Sequence, residues 1–481
     1  MKYSKYIIIV FLGFLLNSCS DFLDPDPDSA IKTEDFYQTA EELELGVIAI
    51  YDALQGVNSN QLNDNRGIQV EFYVTEMLSD NANTRTPDAN DSADAGQFEN
   101  FSVESNNGIS ANYYSSMYRV IYLANVVLDA VETLEDASSL TRIEAEARFL
   151  RAYAYFNLIR MYGEDVENLG LPLVDHVLTE EEKAIQYTRV SENKIYDLII
   201  EDFLNATEGL DDTYKSRASK SAAHTFLAMV YMTIDNADYS EALVHLDQVA
   251  SNYALLDNYA DIFDPANELN SEIIFSIGFV NDAANDSQNY SAEFAATGNS
   301  SGVNYLTTDL QAKLSNFGGT NRQLYNIDDN DSEDKYQTAK HTTNSSDDEQ
   351  AGTDFIVLRY ADVVMLYAEA NMGTSNEVNV SGSWADNYNK IRTRAGLTAV
   401  TTITKDELID ERRYEFFSEN KRMFDLKRFG VATEVLSAFA AASGYDFNSS
   451  EVTLPIPLRE INLSPLNSNG EIALIQNINW R

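Results

Sequence analysis

Apolar residues recur at helical spacing in long blocks, and that pattern leaves little room for a sheet-based architecture. From Glu34 to Leu54 the apolar set Phe36, Leu43, Val47, Ile50, Tyr51 and Leu54 falls at intervals of three, four and seven, the signature of one buried helix face. Tyr113 to Leu134 repeats it through Met117, Ile121, Ala124, Val127, Leu128 and Val131. Leu140 to Tyr162 alternates small residues (Ala145, Ala147, Ala152, Ala154) with Phe149, Leu150, Tyr153, Phe156 and Leu158. Small against large at this spacing lets neighbouring helices approach closely. Only 8 prolines and 21 glycines interrupt 481 residues, so a mostly α fold is expected.

Two helical hairpins stand out. In Ser221 to Ser251, Leu227, Ala228 and Tyr231 match the first helix of a tetratricopeptide unit, and Ala242 and Leu246 the second. Tyr360 to Ala395 is another candidate, with Ala361, Leu366, Ala368 and Ala370 on its first helix and Tyr388 and Ile391 on its second. Such hairpins present a surface to a partner or serve as plain scaffold. Between the helical blocks lie polar segments, Asn58–Ser110, Asn281–Asn304 and Asn326–Thr353. Loops of this length are commonly functional, and a ligand site is expected in the first two.

Cys19 is the only cysteine, so it has no internal disulfide partner. It follows a basic start, Lys2 and Lys5, and an apolar run from Tyr6 to Leu16, the form of a secretory signal too short to span a bilayer. Leu16-Asn17-Ser18-Cys19 resembles a lipobox, which implies lipidation of Cys19 and cleavage after residue 18. The acidic Ser20-Asp21-Phe22-Leu23-Asp24 resembles the export tag of Bacteroidetes surface lipoproteins. Asp24-Pro25-Asp26-Pro27-Asp28 reads as an extended, solvated tether. Acyl chains at roughly 0.8 kcal/mol per buried CH₂ would hold such a protein on a membrane.

The formal net charge of −44 argues against nucleic acid, whose phosphates need a basic surface, and disfavours polyanionic glycans. Enzyme readings find no support. Gly298-Asn299-Ser300-Ser301-Gly302 fits a nucleophile-elbow string but lacks the strand before and the helix directly after it. His176, His224, His245 and His341 show no metal-ligand spacing. Asp88, Asn90, Ser92, Asp94 and Glu99 fall in an EF-hand-like register, yet Ala93 stands where glycine is needed. That set and the acidic Asp328, Asp329, Asp331, Glu333 and Asp334 read as solvated loops. No catalytic residue, metal or cofactor is assigned.

Several strings then point to a family. Ala145-Glu146-Ala147-Arg148-Phe149-Leu150-Arg151-Ala152-Tyr153-Ala154-Tyr155-Phe156-Asn157-Leu158 is similar to the central helix of the SusD/RagB nutrient-binding outer-membrane lipoproteins. Arg359-Tyr360-Ala361-Asp362, Ile391-Arg392-Thr393-Arg394-Ala395-Gly396-Leu397, and Glu411-Arg412-Arg413 with Phe424-Asp425-Leu426-Lys427-Arg428 follow in the family's order. Leu454-Pro455-Ile456-Pro457 with Glu460-Ile461 resembles its ending, although Gln476-Asn477-Ile478-Asn479-Trp480 replaces the usual asparagine-proline-glycine-tyrosine close.

The resemblance implies a SusD-like fold, with tetratricopeptide-like hairpins scaffolding an irregular, loop-rich ligand-binding half. It implies a cell-surface protein that captures glycan, or in some branches peptide, for a SusC-like TonB-dependent transporter without cleaving it. The expected organisation is a signal peptide (1–18), a lipidated tether (19–30), an N-terminal helical region (31–270) and a C-terminal region (271–481). Arg148, Arg151, Arg412, Arg413, Arg422 and Arg428 interleave with Glu144, Glu411, Glu415 and Asp425 on apolar helices, so interhelical ion pairs are expected there rather than ligand contacts.

Glycan capture needs flat aromatic faces for sugar rings, with amide and guanidinium groups for hydroxyls. The first loop region offers Phe72, Tyr73, Asn81, Asn83, Arg85 and Phe98; the second offers Asn289, Tyr290 and Tyr305. Neither of the 2 tryptophans lies in these loops, which favours a short oligosaccharide, or a peptide, over a broad polysaccharide platform. The leading expectation is a carbohydrate ligand, neutral in charge. The alternatives are a peptide-binding uptake protein and a non-binding tetratricopeptide lid on the transporter.

Overall fold

The computed structural model describes residues 37–481 except 57–64, 85–92, 135–137, 165–167, 184–186, 250, 284–285, 295–304, 323–324, 328–335, 468 and 481. The first six long helices are α1 (Ala40–Gln55), α2 (Gly108–Val131), α3 (Ser138–Tyr162), α4 (Glu192–Gly209), α5 (Lys220–Thr233) and α6 (Tyr239–Leu246). All but α4 fall where the apolar periodicity places helices. Their starts carry side-chain caps where the sequence supplies them: Thr39 accepts from the Glu42 amide, Asn107 from Ser110, and Asp238 from Glu241, satisfying amide groups the first turn leaves free.

Each of these helices packs on the next in chain order, and α6 then meets α7 (Tyr360–Met372). The small residues work as anticipated. A Cβ on Gly209 of α4 would stand only 2.6 Å from the Ala145 Cβ on α3, so nothing larger fits that crossing. Large residues fill the remaining space: the Phe149 ring meets Phe203, Phe226 and Phe275 edge-on, with centroids 5.4, 5.8 and 5.3 Å away.

Helices α8 (Ala385–Arg394), α9 (Lys405–Phe416), α10 (Arg422–Arg428) and α11 (Ala432–Ser443) complete the helical part. A second core forms where α7, α8 and α9 bury Met365, Tyr388 and Leu408. The principal core runs from Leu43 to Leu474, so both ends of the described chain contribute to it. The chain end is fastened to the end of α3 and the segment after it: Asn477 donates to the Tyr162 carbonyl at 3.3 Å and the Leu454 carbonyl at 2.8 Å and accepts from Arg189 at 2.6 Å, and Glu164 accepts from the Ile478 amide.

The β structure among the described residues is four two-stranded antiparallel pairs. Strand β1 (Ala82–Asn83) pairs with β3 (Tyr305–Leu306), β2 (Ile273–Ile277) with β6 (Phe355–Arg359), β4 (Tyr325–Ile327) with β5 (Tyr336–Thr338), and β7 (Glu377–Asn379) with β8 (Thr402–Thr404).

The first polar segment differs from the expected open loop. It contains a 3₁₀ turn (Gly67–Val70), a π-helical turn (Tyr73–Met77), β1 and a short helix (Ala93–Glu99), and it buries Ile68, Val70, Val74, Met77 and Leu78. The EF-hand-like register that ends in this segment is spent on the fold where it is described. Asp94 accepts from the Gly108 amide at 2.9 Å, and Glu99 accepts from the Thr84 amide at 2.8 Å and from the Tyr445 hydroxyl at 2.6 Å. Asp88, Asn90 and Ser92, the acidic cluster at 328–334, Gly298–Gly302 and Cys19 lie outside the described residues.

Candidate functional site

The two loop regions meet, although they lie more than two hundred residues apart in sequence. Asn83 faces Tyr305 across the β1–β3 ladder. The Arg66 guanidinium donates to the Asn289 side chain at 2.8 Å, and the Asn289 amide donates to Gln69 at 3.3 Å. Phe72 packs edge-on against Phe294 with centroids 5.4 Å apart, and the Tyr73 ring lies 4.1 Å from Phe72 and 5.7 Å from Phe98. Glu293 stands near enough to act electrostatically on both Arg66 and Tyr73; burial and then this carboxylate push the Tyr73 phenol well above its ordinary range.

The geometry sorts the residues singled out from the sequence. Phe72, Asn81, Phe98, Asn289, Tyr290 and Tyr305 are buried, which corrects their expected role as exposed sugar contacts. Tyr290 is only 1 % exposed. Its hydroxyl donates to the Thr353 carbonyl at 3.4 Å, and its ring is enclosed by Phe279, His341 and Phe355, so neither face is free for a sugar. The physical reason is the same throughout: aromatics in a polar segment are the apolar surface available to seat that segment on the helices, and burial claims them first. Tyr73 and Asn83 are half-buried and remain at the surface; Arg85 lies outside the described residues.

Arg66 and Glu293 belong to the junction and sequence reasoning missed them. The available signal was weak: Arg66 is an isolated basic residue before Gly67, with Asp64 and Glu71 the charged residues nearest to it. Gly56 helps to place it. Its backbone is left-handed (φ +74°) and a Cβ there would stand 2.2 Å from the Arg66 carbonyl carbon, so the end of α1 holds the Arg66 backbone by close approach.

Beneath the junction runs the ion-pair network expected from the sequence, which uses Glu144 and Asp425 as anticipated and adds Asp80 and Asp202. Asp80 pairs with Arg422 at 2.7 Å and with Arg413 at 3.1 Å, and Arg413 also donates to Asn81 at 2.8 Å. These contacts fix the strand that carries Asn83. Burial alone would raise the Asp80 pKa, but the two guanidinium groups outweigh it and hold the carboxyl well below the ordinary range. Elsewhere Arg412 and Arg428 share Asp425, Arg148 and Arg151 share Asp202, and Arg359 binds Glu272, Glu415 and Glu419 at 2.7–2.8 Å.

Two of the histidines take structural places. His224 and His245 meet with their Nδ1 atoms 3.0 Å apart inside the α5–α6 hairpin, and burial first, then the neighbouring ring, lowers His224 to about 4. Among the described residues no group of three or more side chains is arranged to hold a metal ion. The junction offers a half-exposed aromatic ring, a planar cation, a carboxylate and amides. That donor set suits hydroxyl-rich ligands and lacks a nucleophile–base pair.

Comparison with known proteins gives this arrangement its context. A family model described as "Starch-binding associating with outer membrane" matches residues 21–232, and the model of the SusD family matches residues 285–480. The chain belongs to the SusD family, whose members are binding proteins rather than enzymes. It is 28% identical over 539 aligned positions to SusD-like protein P25 of Formosa agariphila, covering 97% of this chain and 98% of that one. A laminarin-binding SusD-like protein superposes with a TM-score of 0.72 at 23% identity, covering 91% of this chain and 99% of the other. Surface glycan-binding protein A from Bacteroides fluxus does so with a TM-score of 0.77 at 20% identity, covering 92% and 99%. These superpositions show a shared, mostly α-helical fold. Among the described residues no helix is long and apolar enough to cross a membrane.

Proposed function

We propose that this protein is a cell-surface lipoprotein of the outer membrane, anchored through Cys19, that captures a neutral oligo- or polysaccharide and delivers it to a SusC-like TonB-dependent transporter. The observation that carries the reading is the meeting of the two loop regions around Tyr73, Arg66, Asn83 and Glu293. A ring face there can stack on a sugar, while guanidinium, amide and carboxylate groups can hold its hydroxyls. Arg85, two positions after Asn83 in the sequence, is retained as a candidate contact. The laminarin-binding and surface glycan-binding relatives support a glycan over a peptide, and the net charge of −44 supports a neutral one.

The test is affinity electrophoresis through gels containing laminarin, xylan, mannan and one anionic glycan. Retardation by a neutral polymer, weakened in Tyr73→Ala and Arg66→Ala with the native circular dichroism spectrum retained, is the expected result. A second reading draws on the burial of Phe72, Asn81, Phe98, Asn289, Tyr290 and Tyr305: a scaffold that caps the transporter and binds no glycan itself. It requires unchanged mobility in every gel.

A further inference from the structure

A second cleft, between α2 and the segment after α3, shares no lining residue with the loop junction. It encloses about 310 Å³ of open space, within the range of small-ligand pockets. One wall is α2, which presents Tyr114, Tyr118 and Tyr122 at successive four-residue intervals; that interval spaces residues about 6 Å apart along a helix. The other wall is the segment that follows α3, with Pro172, Val174 and Tyr187, and the rim carries His176, Lys183 and Glu460.

The tyrosines are graded in depth. Tyr114 forms the floor, buried, with its ring 5.0 Å from Tyr162. Tyr118 lies 4.9 Å from Tyr114 and donates to the Pro172 carbonyl at 2.9 Å, which fixes its ring and ties the two walls together. Tyr122 at the mouth is 53% exposed. A helix face needed only for packing would end its apolar stripe at the core boundary. This one continues outward as a row of rings whose spacing is close to the length of one hexose unit, beside polar rim groups.

We propose that this cleft is a second saccharide site, taking a short neutral oligosaccharide whose rings stack on Tyr118, Tyr122 and Tyr187 and whose hydroxyls meet the rim. The inference rests on the glycan-binding reading above and adds a site that reading does not contain. Aromatic faces graded from buried to exposed suit an amphipathic ring better than a lipid chain, and the acidic protein disfavours an anionic ligand.

Isothermal titration of the full-length protein in detergent with laminarin, cellulose and mannan oligosaccharides tests it. The expected result is two molecules bound per chain. Tyr122→Ala and Tyr187→Ala each weaken one component roughly tenfold and leave the component sensitive to Tyr73→Ala intact. Tyr122 is exposed, so its variant keeps its melting temperature. Binding abolished by Tyr73→Ala and untouched by the cleft variants overturns the second site and leaves the junction standing. Binding abolished by the cleft variants and untouched by Tyr73→Ala upholds the cleft and overturns the junction. No binding by the unmodified protein overturns both.

Discussion

Glu71 sits 4% exposed beneath the π-helical turn, with the Tyr113 hydroxyl donating to it at 3.3 Å. Burial raises its pKa to about 7 from 4.5, only partly offset by Arg160, Lys421 and Tyr113. A carboxyl raised in this way holds its proton in the folded protein after the unfolded chain has released it. Its contribution to stability is complete below about pH 4.5 and lost as pH rises through about 7. Glu71→Gln is therefore expected to match the parent near pH 4.5 and to exceed it at pH 8 by on the order of 2–3 kcal/mol, read from urea unfolding at the two pH values. Arg359 is the opposite case. Removing it as Arg359→Met takes one buried cation from Glu272, Glu415 and Glu419 at once and leaves that buried cluster only Arg394, Arg322 and Lys340 as partners. A loss of about 3–5 kcal/mol is expected, measured by denaturant midpoint, with glycan retardation of the surviving folded protein unchanged.

At the scale of elements, the meeting of α1 with the Arg66 turn gives a sharper test of the site than any contact residue. Gly56→Ala introduces both left-handed strain and a collision with the Arg66 backbone. Gly430→Ala has a comparable φ (+70°) with nothing within 4 Å, so it adds strain alone, about 1–3 kcal/mol. Gly56→Ala is expected to lower the melting temperature further and to weaken glycan retardation, which Gly430→Ala should leave intact. The helices were legible because their signal is local: α3 carries its own alternation of alanine and phenylalanine. The π-helical turn and β1 were not. Thr75, Glu76, Ser79, Asp80 and Asn81 are all buried, yet their composition reads as a solvated loop, because the groups that satisfy several of them, Asn420, Ser418, Arg422 and Arg413, lie far along the chain. The site was half legible for the same reason. Polarity and aromatic content single out the two loop regions that meet, but which ring stays outside is decided by tertiary partners such as Phe294 and Asn289.

For the whole molecule, the proposed membrane attachment depends on one sulfur. Cys19→Ala is expected to move the protein from the membrane fraction to the soluble fraction while leaving its glycan retardation unchanged, checked by fractionation and affinity gel on the same preparation. The loop junction also bears on how the protein reaches its working state. Arg66 and Asn289 are separated by 223 positions, and β1 waits for β3 across a similar span. Contacts this distant in sequence close late, after local helices have formed. A chain whose second half has not yet folded back onto its first therefore lacks the junction, and the proposed binding surface is complete only after that long-range step.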